Sequence, residues 1–161
     1  MISKNLNKNF LINLTLTLLI FLFDRFSKIY VINLDKKFFG SEIFSSKFLN
    51  ISLIWNQGVA FGFFSTSSEN LYDFLTIFII IVMLFILYFL IKSKRLEQYA
   101  LIFIFSGALG NVYDRIFYRA VPDFIDFHIG NFHWFIFNVA DIFITVGVLF
   151  MIMLELTNIK K

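Results

Sequence analysis

The 161-residue chain has no cysteine, one proline and two histidines. Without cysteine there can be no disulfide framework and no thiolate metal site. Two imidazoles and scattered carboxylates are a poor ligand set, so neither a metal nor a cofactor is expected. Charge is also scarce: Asp, Glu, Lys and Arg make up 16% of the residues and gather in short clusters. The net charge of +3 forms no basic stripe interleaved with exposed aromatics, which argues against a nucleic-acid partner. HExxH and GxSxG are both absent, so zinc-protease and serine-hydrolase chemistry lack their residues. Apolar side chains are plentiful: 59% of residues are hydrophobic, 25 are Phe, and the mean hydropathy is +0.81. Such a chain is an integral membrane protein, read as a single domain over residues 1–161.

Four apolar segments approach the ~20 residues needed to cross a bilayer, at about 10–33, 71–91, 98–117 and 134–155. The first follows Lys4 and Lys8 as a signal peptide would. Yet Asp24-Arg25-Phe26-Ser27-Lys28 stands where a small-residue cleavage site belongs, so the segment is read as a retained helix. Lys4 and Lys8, then Lys92, Lys94 and Arg95, then Lys160 and Lys161 fall on one side of four spans. The positive-inside rule makes that side, with both termini, cytoplasmic. The intervening stretches 34–70 and 118–133 are then extracytoplasmic. ISLIWNQGVAFGFF, with a Gly-bearing turn between apolar and aromatic runs, reads as hairpin-like, and FIDFHIGNFHWFIF repeats the signal with its turn at Gly130-Asn131. Ser67 or Ser68 is a candidate cap for the second span. The expected fold is an all-α membrane protein of four transmembrane helices with a small extracytoplasmic β-sheet.

Two short blocks stand out in this apolar chain: NVYD at 111–114 and NVAD at 138–141. Asp114 lies about 19 residues after Arg95, roughly 28 Å along a helix, and Asp141 lies about 19 residues before Lys160. Antiparallel spans would bring both acids to one depth near the outer interface. Gly107, Ala108 and Gly110 would let another backbone approach span three. A carboxylate within a span costs about 2.5–3.5 kcal/mol, so two at matched depth call for a reason. Two close carboxylates share a proton; one can activate water while the other donates a hydrogen bond to a carbonyl oxygen. The plainer alternative is that each acid is interfacial and held by a neighbour, as Asp114 by Arg115. Asp24 and Lys28, at i and i+4, read as a structural polar pair.

Five blocks in order resemble the lipoprotein signal peptidase (signal peptidase II) family over essentially the whole chain. They are Asp24-x-x-x-Lys28; Asn56-Gln57-Gly58-Val59-Ala60-Phe61; Gly107 to Arg115 (GALGNVYDR); Asp123-Phe124-Ile125-Asp126; and Phe137 to Asp141 (FNVAD). Ser106, Pro122 and Ile142 depart from the family's usual residues. The resemblance implies an aspartic endopeptidase of the bacterial inner membrane that cuts prolipoproteins before a diacylglyceryl-modified cysteine and is inhibited by globomycin-type cyclic peptides. It implies Asp114 and Asp141 as the catalytic pair. Asn56, Gly58, Asn111, Arg115, Asp123, Asn138 and Ala140 would bind substrate or support the site. Expected partners are diacylglyceryl-prolipoprotein substrates and membrane phospholipid, with the chain acting as a monomer. The rival reading is a small proton- or cation-translocating subunit with Asp24, Asp114 and Asp141 as relay sites; a non-enzymatic membrane scaffold is a third.

Overall fold

The computed structural model describes residues 2–58, 69–93 and 95–158. The candidate cap at Ser67 or Ser68, the 59–64 arm of the first expected hairpin, and Lys94, Lys160 and Lys161 lie outside the described residues. The elements run α1 (Ile2–Lys37), β1 (Phe44–Ser45), β2 (Leu49–Asn56), α2 (Glu69–Lys92), α3 (Arg95–Tyr118), β3 (Val121–Ile129), β4 (Phe132–Phe137) and α4 (Val139–Asn158). Each of the four helices is long and apolar enough to cross a membrane.

The spans are apolar all round, so packing rather than amphipathicity decides which face turns inward. Helix α3 is the hub: 44% of its most apolar window is buried, against 11% for α2. Its small residues make this possible. A Cβ added to Gly107 would come within 2.5 Å of the Ala140 carbonyl oxygen, so α3 and α4 touch backbone to backbone there. Ile20, Leu90, Leu101 and Ile102 form the core among the helices. Large side chains such as Phe10, Phe74, Phe85 and Met153 face outward, as lipid-facing surface does.

The first span continues past the expected residue 33 to Lys37, where a left-handed turn at Phe39 and Gly40 ends it. Its last third lies along the sheet: Val31 packs with Phe124 and Val139. The strands form one antiparallel sheet in the order β1-β2-β3-β4. Gly130, with φ of 59°, makes the tight β3–β4 turn at Gly130-Asn131. The fourth span needs correction. It begins at Val139, not at 134, because Phe132–Phe137 pairs with β3 as a strand. Pro122 is tolerated in β3 because, among the described residues, β2 alone pairs beside it there; β4 joins from Ile125 onward.

Candidate active site

At the sheet end of the bundle α3 finishes, α4 starts, and α1 runs past both. Asp24, Lys28 and Asp114 are fully buried, and Arg25 nearly so. Arg25 grips Asp114 with two bonds, Nη1 to Oδ1 at 2.5 Å and Nη2 to Oδ2 at 2.7 Å, and reaches Asp24 Oδ2 at 2.9 Å. Lys28 Nζ lies 2.7 Å from Asp114 Oδ2 and 3.0 Å from Asp24 Oδ2. Two cations and two carboxylates neutralise one another, the condition under which charge survives burial. The remaining oxygen of Asp24, Oδ1, accepts the backbone N–H of Ala140 at 2.9 Å. That N–H is one of the unpaired donors at the start of α4, so α1 caps α4 from outside.

Asp141 has different company. Asn138 is the residue before α4, and its Oδ1 accepts the Asp141 N–H at 3.2 Å. In return Asp141 Oδ2 accepts the Asn138 N–H at 3.1 Å. This is a reciprocal capping box, with Asp in the usual Glu position. Asn111 Nδ2 donates to Asp141 Oδ1 at 2.8 Å. The Asn138 amide also donates to Asp123 Oδ1 at 2.6 Å, so one asparagine holds two acids. Asn56 Nδ2 donates to Asp123 Oδ2 at 2.9 Å. Register explains that contact: Asn56 faces Val121 across the strands, which puts Asp123, two residues on, diagonally on the same face. A one-residue register shift in the β2–β3 pairing between Ile51 and Ile54 sets this alignment.

Asp123 and Asp141 line one cavity of about 320 Å³ together with Asn56, Asn111 and Arg115. Asp114 does not line it. Among the described residues its side-chain link to Asp141 runs through Lys28, which donates to Asn111 Oδ1 at 2.9 Å, and the Asn111 amide. The expectation that Asp114 and Asp141 face each other is therefore corrected. Both oxygens of Asp114 are committed to α1, and the acid beside Asp141 is Asp123. Burial, and then the charge of Asp141, push the Asp123 carboxyl up to about 6. Arg115 does not pair with Asp114 either; its Nη2 donates to the Gly58 carbonyl, and its own carbonyl accepts the Tyr72 hydroxyl at 3.2 Å. The Gly58 N–H is bonded to Asn56 Oδ1 at 2.8 Å. Ala140, fully buried, contributes its backbone N–H and no bulk.

Arg25 escaped the sequence reading. Its signal was the need of a buried Asp114 for a counter-ion, with three ionisable residues in one span the obvious source. A second, larger cavity of about 550 Å³ has a largely apolar lining that includes Phe48, Phe127, Trp134 and Ile142, and reaches Asp141. Asp141 therefore borders both spaces.

The family model described as signal peptidase (SPase) II, Peptidase_A8, matches residues 16–157. A lipoprotein signal peptidase of Pelagibacter ubique (strain HTCC1062) is 47% identical over 155 residues, 96% of this chain and 93% of the relative. One from Burkholderia vietnamiensis is 41% identical over 150 residues, covering 91% and 89%. Among solved structures, a bacterial membrane enzyme determined by the in meso method at 2.3 Å superposes with a TM-score of 0.76 at 31% identity, covering 91% of this chain and 88% of the other. A second, at 1.9 Å, gives 0.73 at 34% identity, covering 89% and 92%.

Proposed function

The chain belongs to the signal peptidase II family, and on that premise we propose that it is an intramembrane aspartic endopeptidase whose reacting acids are Asp123 and Asp141. Its substrates are prolipoproteins carrying diacylglyceryl on the cysteine after the scissile bond. The observation that carries the assignment is the shared Asn138, which holds both carboxyls at the wall of one cavity.

Asp141 sits at a helix N-terminus with two N–H donors on it, where negative charge is best held. Burial and the neighbouring Asp141 raise the Asp123 carboxyl to about 6, so Asp123 is assigned the proton. Asp141 thus takes a proton from water as the water oxygen attacks the scissile carbonyl carbon. Asp123 donates its proton to the carbonyl oxygen. Collapse of the tetrahedral species breaks the C–N bond: the proton on Asp141 passes to the leaving nitrogen, and Asp123 takes back a hydroxyl proton as the C=O reforms. The signal helix enters laterally between spans, leaving the acyl chains in lipid.

The basic clusters favour cytoplasmic termini and a site near the outer face. Lys92 and Arg95 stand at the helix ends remote from Asp114. The family match gives no support to the proton-relay alternative, and Asp24 and Asp114 are already committed to Arg25 and Lys28.

The test is cleavage of a model diacylglyceryl-prolipoprotein by purified protein in detergent. Wild type should cut before the lipidated cysteine and stop with globomycin. Asp123→Asn and Asp141→Asn should each lose about 10³-fold or more in rate while remaining folded. Near-normal cleavage by either variant would sink the assignment.

A further inference from the structure

The β3–β4 hairpin carries a second group of ionisable side chains that the reaction does not use. His128 and His133 are directly opposite across the strands. Their rings stack at 5.0 Å with 20° between planes. Asp126, two residues before His128 and 6% exposed, presents its two oxygens to His133 Nδ1 at 2.8 and 3.1 Å. One potential ligand atom from each of the three residues lies within 4.8 Å of the other two. The Asp126–His133 bond accounts for two members of the group. It leaves His128 unexplained: its Nδ1 is shielded from solvent and has no hydrogen-bond partner among the described residues. A buried imidazole nitrogen left unbonded is costly and calls for a ligand.

We propose that Asp126, His128 and His133 form a binding site for a divalent transition-metal cation of the Zn²⁺ class. Two imidazoles and a carboxylate suit such ions and are a poor set for Ca²⁺ or Mg²⁺. Ligand atoms about 2.0–2.2 Å from one tetrahedral ion lie about 3.3–3.6 Å apart, so atoms up to 4.8 Å from one another must close by up to about 1.5 Å. That movement falls to His133, whose side chain is 51% exposed and would exchange its Asp126 hydrogen bond for the ion as it turns. Its exposed side leaves room for water to complete the coordination. The ion would tie the two strands together beside the Gly130-Asn131 turn. It would also fix His128, which lines the 550 Å³ cavity that reaches Asp141.

The experiment is a calorimetric titration of tag-free, chelator-washed protein in detergent with ZnCl₂, paralleled by Co²⁺ absorption spectra. One Zn²⁺ per chain is expected, with a ligand-field band on Co²⁺ and a raised melting temperature. His133→Gln, at a half-exposed position that leaves folding intact, should weaken binding at least ~10-fold. The double variant His128→Ala/His133→Ala should abolish both the stoichiometric site and the thermal shift. No saturable binding to wild type, or equal binding by His133→Gln, overturns the proposal. Neither readout depends on cleavage of any peptide.

Discussion

Asn111-Val112-Tyr113-Asp114 lies inside α3, whereas Asn138-Val139-Ala140-Asp141 straddles the start of α4. The spelling is nearly shared, but the position relative to the helix is not. Inside a helix the backbone N–H groups are already bonded, so Asn111 and Asp114 must look outward, and both find Lys28. At a helix start the first N–H groups are free, so Asn138 and Asp141 turn back on the backbone and on each other. The first arrangement exhausts the carboxylate. The second holds it by one edge and leaves it facing a cavity. The same four-residue word thus yields an anchor in one place and a candidate reagent in the other.

The contrast predicts opposite failures. Asp141→Asn should abolish cleavage and leave the melting transition near wild type. Asp114→Asn should instead strip a buried partner from Arg25 and Lys28, costing about 3–5 kcal/mol, read as a lowered thermal midpoint and low yield. A stable but inactive Asp114→Asn would mean that Asp114 is a reagent and not an anchor. Gly110→Ala probes the anchor more gently. The new Cβ would lie 2.5 Å from Asp24 Oδ2, so the carboxylate must move, at about 1–3 kcal/mol of overpacking. A thermal midpoint unchanged by that substitution would show the cluster to be looser than its geometry.

The smallest effect concerns protons. The fold raises the Asp123 carboxyl from 3.8 to about 6. The stability tied to its neutral form is complete below 3.8 and is lost as pH rises through about 6. Cleavage that needs this proton should fade over the same alkaline limb, which titrates as a property of the pair. The Asn56 hydrogen bond favours the ionised form, so Asn56→Leu should move the limb to higher pH. A pH–rate profile with the limb unmoved would remove Asn56 from this role.

The four spans were legible because length and apolarity alone announce them. The start of the fourth was not. Phe132–Phe137 is as apolar as the helix that follows, and an uninterrupted apolar run does not distinguish strand from span. The boundary is marked by Asn138, a capping residue hidden within a motif that drew attention for its acid. Asp141 could be placed by counting along a helix. Its partner could not, because Asp123 reaches the site through the β2–β3 pairing and its register shift, which join residues 67 positions apart. Counting helical depth favoured Asp114, whose oxygens are instead taken up by Arg25 and Lys28. β1, two residues long, carries no pattern of its own.

The neutral cluster is divided between the first helix and the third, and Lys28 is separated from Asp114 by 86 positions. A ribosome delivers α1 to the bilayer long before α3 exists. During that interval Arg25 and Lys28 have one carboxylate between them, and an unmatched cation in hydrocarbon costs about 2.5–3.5 kcal/mol. The nascent first segment is therefore a poor lodger on its own, and its settled depth is granted only when the third arrives. Biogenesis of this protein hinges on a late handshake between its first helix and its third.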